Sequence, residues 1–85
     1  MSTLIDKPKT ASYSEGYVSI VMESGTEYRF PAEQNPRLAR GTDQQRGNII
    51  VSPFGVHWPE LDEDLSIAGI ARGDFGQHQR PNKSA

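Results

Sequence analysis

Four carboxylates fall within five residues at Glu60, Asp62, Glu63 and Asp64, just after His57, Trp58 and Pro59. Clustered carboxylates can hold a cation, flank a sugar, move protons or present negative charge to a basic surface. Spacing decides among these uses. A calcium loop of the EF-hand type needs oxygens at alternate positions, a central glycine and a terminal glutamate, and the run has none of that order, so no metal site is expected. Asp62 and Asp64 would need a sugar-sized cleft between them, which so small a chain rarely builds. His57 would need a nucleophile or an orienting carboxylate in a cleft to act as a base. In a strand, His57 and Trp58 point to opposite faces, so a buried Trp58 leaves His57 at the surface or at a strand edge. Ser66 sits in no Gly-x-Ser-x-Gly elbow and reads as a helix cap. Gly69, Gly73 and Gly76 follow no strand and precede no Gly-Lys-Ser/Thr, so they form no phosphate loop. Without a nucleophile–base pair, the expectation is a non-enzymatic protein with no cofactor.

The elements that must position these residues are short. Tyr17–Met22 (YVSIVM) alternates with period two and predicts a strand. Ser24-Gly25 turns it into a second strand over Thr26–Phe30, closed by Pro31. Asn35-Pro36 opens a helix that ends at Gly41. Thr42 and Gln45 have capping-box spacing for a second helix over Asp43–Gly47. Asn48–Ser52 and Val56–Trp58 predict two more strands around Pro53-Phe54-Gly55. Ser66 caps a last helix that ends at Gly73, with Leu65 and Ile70 in hydrophobic-staple positions. Glu63 and Asp64 would then complement that helix dipole by ~0.3–1 kcal/mol each. The order β-β-α-α-β-β-α predicts an α+β class: a small, mostly antiparallel sheet with short helices on one face.

Eighty-five residues make one domain. Residues 1–12 and 76–85 lack apolar periodicity and read as frayed tails around a single domain over 13–75. No cysteine is present, so disulfides and thiolate metal sites are excluded, and a cytoplasmic home is consistent with that. The net charge of −2 gives no bulk drive toward nucleic acid. Arg37, Arg40 and Arg46 gather near the two short helices with no interleaved aromatics and read as a solvated face. No apolar run approaches the ~18 residues of a membrane span, and the N-terminus has no signal-peptide core.

Several segments in order and spacing carry a family resemblance. These are Phe30-Pro31, Asn35-Pro36-Arg37-Leu38-Ala39, Gln45-Arg46-Gly47-Asn48, the run Gly55–Ser66 (GVHWPELDEDLS), then Gly69-Ile70 and Gly73. They resemble the bacterial domain-of-unknown-function family 2442 over about Tyr17–Gly73. The resemblance implies a small α+β domain. It also implies a context of two-gene pairs reminiscent of toxin–antitoxin modules, with some members fused to a helix-turn-helix for which this chain has no room.

Four carboxylates exceed what a helix entry requires, because dipole stabilisation fades within the first turn. The expected function is a protein-binding regulatory module, antitoxin-like or inhibitory, that masks a basic partner surface through Glu60, Asp62, Glu63 and Asp64. The alternative is a phage or mobile-element inhibitor of a nucleic-acid-targeting defence complex, anti-CRISPR-like, whose carboxylates occupy a basic groove. Either would be a monomer when free, with no direct nucleic-acid or membrane contact.

Overall fold

The computed structural model describes residues 6–77. The alternation at Tyr17–Met22 forms β2, with Val18, Ile20 and Met22 buried on one face. Glu27–Pro31 forms β3 and pairs antiparallel with it, setting Phe30 against Val18 and Tyr28 against Ile20. A further strand, β1 (Pro8–Ser14), covers the other side of β2. The expected frayed tail over 1–12 therefore holds a strand from Pro8 onward, while residues 1–5 lie outside the described residues. Besides the buried Pro8, β1 sets Ala11 and Tyr13 against the core, so its apolar pattern is thin. Glu15 (φ 51°) and Gly16 (φ 89°) make the two-residue turn into β2. Two positive φ values in succession suit the twist of a tight hairpin, and glycine adopts one at no steric cost.

Pro31 leads through one 3-10 turn (Ala32–Gln34) into α1 (Pro36–Ala39), where the Asn35 side chain accepts from the amides of Arg37 and Leu38. The helix α2 (Asp43–Gly47) opens on a complete capping box between Thr42 and Gln45. Both caps are those expected from the residue types.

A second antiparallel sheet follows, in the order β4 (Ile50–Ser52), β5 (Gly55–Trp58), β6 (Glu63–Ser66). The β6 strand occupies much of the stretch expected to be a bare acidic helix entry. It runs directly into α3 (Ile67–Ala71), capped by the Ser66 hydroxyl at the Gly69 amide. The α+β class holds, with six strands in two sheets among the described residues rather than four in one.

The edge strands β1 and β4 touch, and one core serves both sheets. Val18, Ile20, Met22 and Phe30 come from the first; Val56, Trp58 and Leu65 from the second; Leu38 and Ile70 from helices. Trp58 is fully buried, as its place between a turn and a proline predicts, and its indole N–H donates to the Arg46 carbonyl at 2.9 Å. The last segment returns over the first sheet: the Phe75 ring stacks on Phe30, with centroids 4.7 Å apart. Residues 78–85, most of the expected C-terminal tail, lie outside the described residues.

Candidate functional site

Period-two alternation in β6 separates the four carboxylates. Glu63 points inward with Leu65, while Asp64 and Ser66 point out. Glu63 is only 5% exposed, which corrects the expectation that it faces a partner. A buried carboxylate needs partners to offset lost hydration, and Glu63 has them. Its Oε2 accepts from Asn35 Nδ2 at 2.7 Å, and its Oε1 lies 3.7 Å from Arg37 Nε. Asn35 is fully buried and donates also to the Phe75 carbonyl at 2.8 Å while its oxygen caps α1. One side chain thus ties α1, β6 and the returning segment together.

The other three carboxylates stay in solvent. Glu60 accepts from Asn48 Nδ2 at 2.8 Å. Asp62 occupies a left-handed position (φ 54°) in the turn between β5 and β6, a conformation that aspartate tolerates better than most residues. Its carbonyl accepts from Arg37 at 2.9 Å. Asp64 lies opposite His57 in the ladder, with Oδ1 at 2.7 Å from Nδ1. His57 is on the outer face, as expected, and on the central strand rather than an edge.

Two of the three arginines, Arg37 and Arg46, are not a solvated face either. Arg46 donates through Nε to the Leu38 carbonyl at 2.7 Å and through its terminal nitrogens to the Ala39 carbonyl and Asp43 at 2.9 Å. It therefore closes the C-terminal end of α1 and links α2 to α1. Arg37 is held by Asp62 and Glu63. Arg40 is exposed.

The outer face of the second sheet carries a row across all three strands: Ile50, His57, Asp64. Beside it, Ser52, Gly55 and Ser66 form a second row. An Asp–His pair is two parts of a nucleophile-activating triad. The hydroxyls on this face are engaged elsewhere, Ser66 at the Gly69 amide and Ser52 at the Gly55 carbonyl. Among the described residues no group of three or more His, Cys, Asp or Glu converges to hold a cation. Beside the His57–Asp64 pair, Ile50 on this face is 51% exposed, and Phe54, in the turn between β4 and β5, is 67% exposed. The sequence places Ile50 in a strand and Phe54 in a turn, and neither residue carries a local signal that it faces solvent.

A family model described as "Protein of unknown function (DUF2442)" matches residues 8–76, from the first residue of β1 to the buried Gly76. The chain belongs to this family. DUF2442 thus takes in β1, which the motif resemblance left out. A search of curated proteins returned no match. Two solved structures are similar. One is a protein of unknown function from Rhodospirillum rubrum, 29% identical, with a TM-score of 0.76 over 84% of this chain and 90% of that one. The other is an uncharacterized protein from Chromobacterium violaceum, 22% identical, with a TM-score of 0.71 over 80% of this chain and 66% of that one. Both support the two-sheet α+β architecture. No helix is long and apolar enough to cross a membrane among the described residues.

Proposed function

We propose that this DUF2442 protein is a non-catalytic protein-binding module, antitoxin-like or inhibitory, that masks a partner with a basic surface. The observation that carries the reading is the exposure around the second sheet: Ile50 and Asp64 on its outer face, Phe54 in the turn at one end of β5, and Glu60 and Asp62 in the turn at the other. Interfaces of this kind combine a few large apolar anchors with a charged rim. The apolar groups supply affinity by leaving water, and the carboxylates steer a basic partner into place. Glu63 has no part in that contact and serves the fold. The proposed site of action is the cytoplasm, where a cysteine-free chain has nothing to lose to reduction, and the free protein is a monomer. The anti-CRISPR-like alternative calls for a surface row of carboxylates in place of phosphates. With Glu63 buried, that row is interrupted between Asp62 and Asp64.

The test is affinity capture from a lysate of the source cells, with wild type beside an Ile50→Ser/Phe54→Ser double variant. Melting temperature serves as the fold control. The expected result is a protein retained by wild type, released by rising salt and lost by the variant. If the folded variant retains the same protein in equal yield, this face is not the interface.

A further inference from the structure

On the protein-binding reading above, we infer that the free edge of β6 is a docking strand for an extended, basic segment of a partner protein. Among the described residues β6 pairs only with β5 and stands at the edge of its sheet. The direction of its main-chain groups follows from one bond. The Ile67 N–H donates to the Phe54 carbonyl at 2.9 Å, on the side of β5. Counting back by two, the main-chain groups of Leu65 and Glu63 also face β5, because alternate residues of a strand bond to the same side. Those of Asp64 and Ser66 therefore face outward. The Ser66 carbonyl begins α3 as the N-cap residue. The N–H and C=O of Asp64 and the N–H of Ser66 have no partner among the described residues. That is the set an incoming strand needs: one residue exchanging both bonds with Asp64, and a carbonyl for Ser66.

Space lies beside these groups. A groove of about 470 Å³ is lined by Asp64, Leu65 and Ser66 along β6, and by Gly69, Asp74 and Gly76 opposite. The charged residues lining the groove are Asp64, whose carboxylate also meets His57 at 2.7 Å, and Asp74, which also accepts from the Gly76 amide, and no basic residue lines it. A lysine or arginine on the incoming strand answers that charge. A second copy of this chain does not. Antiparallel pairing of two β6 edges about Asp64 would set carboxylate against carboxylate across the ladder, which destabilises a strand pair.

The probe is the acetylated, amidated peptide Lys-Val-Lys-Val-Lys, titrated into isotopically labelled protein and followed by amide shifts in NMR. The expected result is saturable shifts centred on Asp64, Ser66, Gly69 and Gly76, weakened by salt. N-methylation of the peptide's central residue should weaken binding about tenfold, since it deletes a ladder bond. A Glu-Val-Glu-Val-Glu peptide should give no shifts. Asp64→Asn/Asp74→Asn, which keeps the hydrogen-bond acceptors, should reduce affinity for the lysine peptide several-fold. The inference is overturned by any of four results. These are no shifts at millimolar peptide, equal binding of the N-methylated peptide, shifts centred on Phe54 and Ile50 instead, or a dimer through β6 in sedimentation. Loss of the edge site leaves the Phe54 capture experiment standing, and failure of that capture leaves the peptide titration standing, so the two readings fail separately.

Discussion

The two sheets have the same number of strands and the same antiparallel order, yet they are held in different ways. The first has strands of 7, 6 and 5 residues, and the inner face of its central strand is wholly apolar. The second has strands of 3, 4 and 4 residues and places a carboxylate among its inward side chains. Strands so short form few ladder bonds, and a small sheet needs packing against other elements to persist. Here that support is specific. Trp58 bonds back to α2 through the Arg46 carbonyl, and Glu63 reaches Asn35 at the start of α1. Long strands with an alternating pattern sustain themselves, whereas short strands depend on side chains drawn from elsewhere. The sheet held by outside ties also exposes Phe54, Ile50 and the edge of β6.

The strongest test of that contrast is Trp58→Ala. Removing the indole should cost ~3–5 kcal/mol, enough to unfold a domain whose whole stability is of order 5–15 kcal/mol. Circular dichroism against temperature would show it. A variant melting within a few degrees of wild type would mean that the second sheet does not hang on this residue. Next in size is Asn35→Ala, which removes the α1 cap and leaves the Glu63 carboxylate and the Phe75 carbonyl without their amide donor. A loss of ~2–4 kcal/mol is expected in urea unfolding. Asn35→Asp keeps the cap but faces Glu63 with a second carboxylate, so it should be no better. If Asp at this position is tolerated, the link between α1 and β6 is not what holds the second sheet.

Smaller effects mark its outer face. Asp64→Asn breaks an exposed pair with His57 and should change stability by ~0–1 kcal/mol. A larger loss in the same urea assay would assign the pair a structural role. Smallest is Phe54→Ser, expected within ~0.5 kcal/mol of wild type because the ring is mostly in solvent. A drop of several degrees in melting temperature would show that Phe54 packs, and would remove the apolar anchor from the proposed interface.

What was legible in the sequence is what neighbours in the chain decide among themselves. The β2–β3 hairpin follows from period-two alternation around Gly25. The caps at Asn35, Thr42 and Ser66 follow from residue type and from spacings of two or three positions. Trp58 in the core follows from its size and from the turn and proline on either side. The exposure of Glu60, Asp62 and Asp64 was equally legible from their charge. Tertiary structure alone decided the rest. β1 has too few apolar residues to declare itself and becomes a strand because β2 offers an edge to pair with. β6 is rich in carboxylates, which disfavour strands, and forms because β5 lies beside it. Nothing local marks Glu63 as the carboxylate that turns inward. Its amide donor, Asn35, is 28 residues away, and that amide's second acceptor, Phe75, lies 40 residues from Asn35. A buried charge is tolerated only where such distant groups converge on it, and that convergence is a property of the folded chain rather than of any stretch of its sequence.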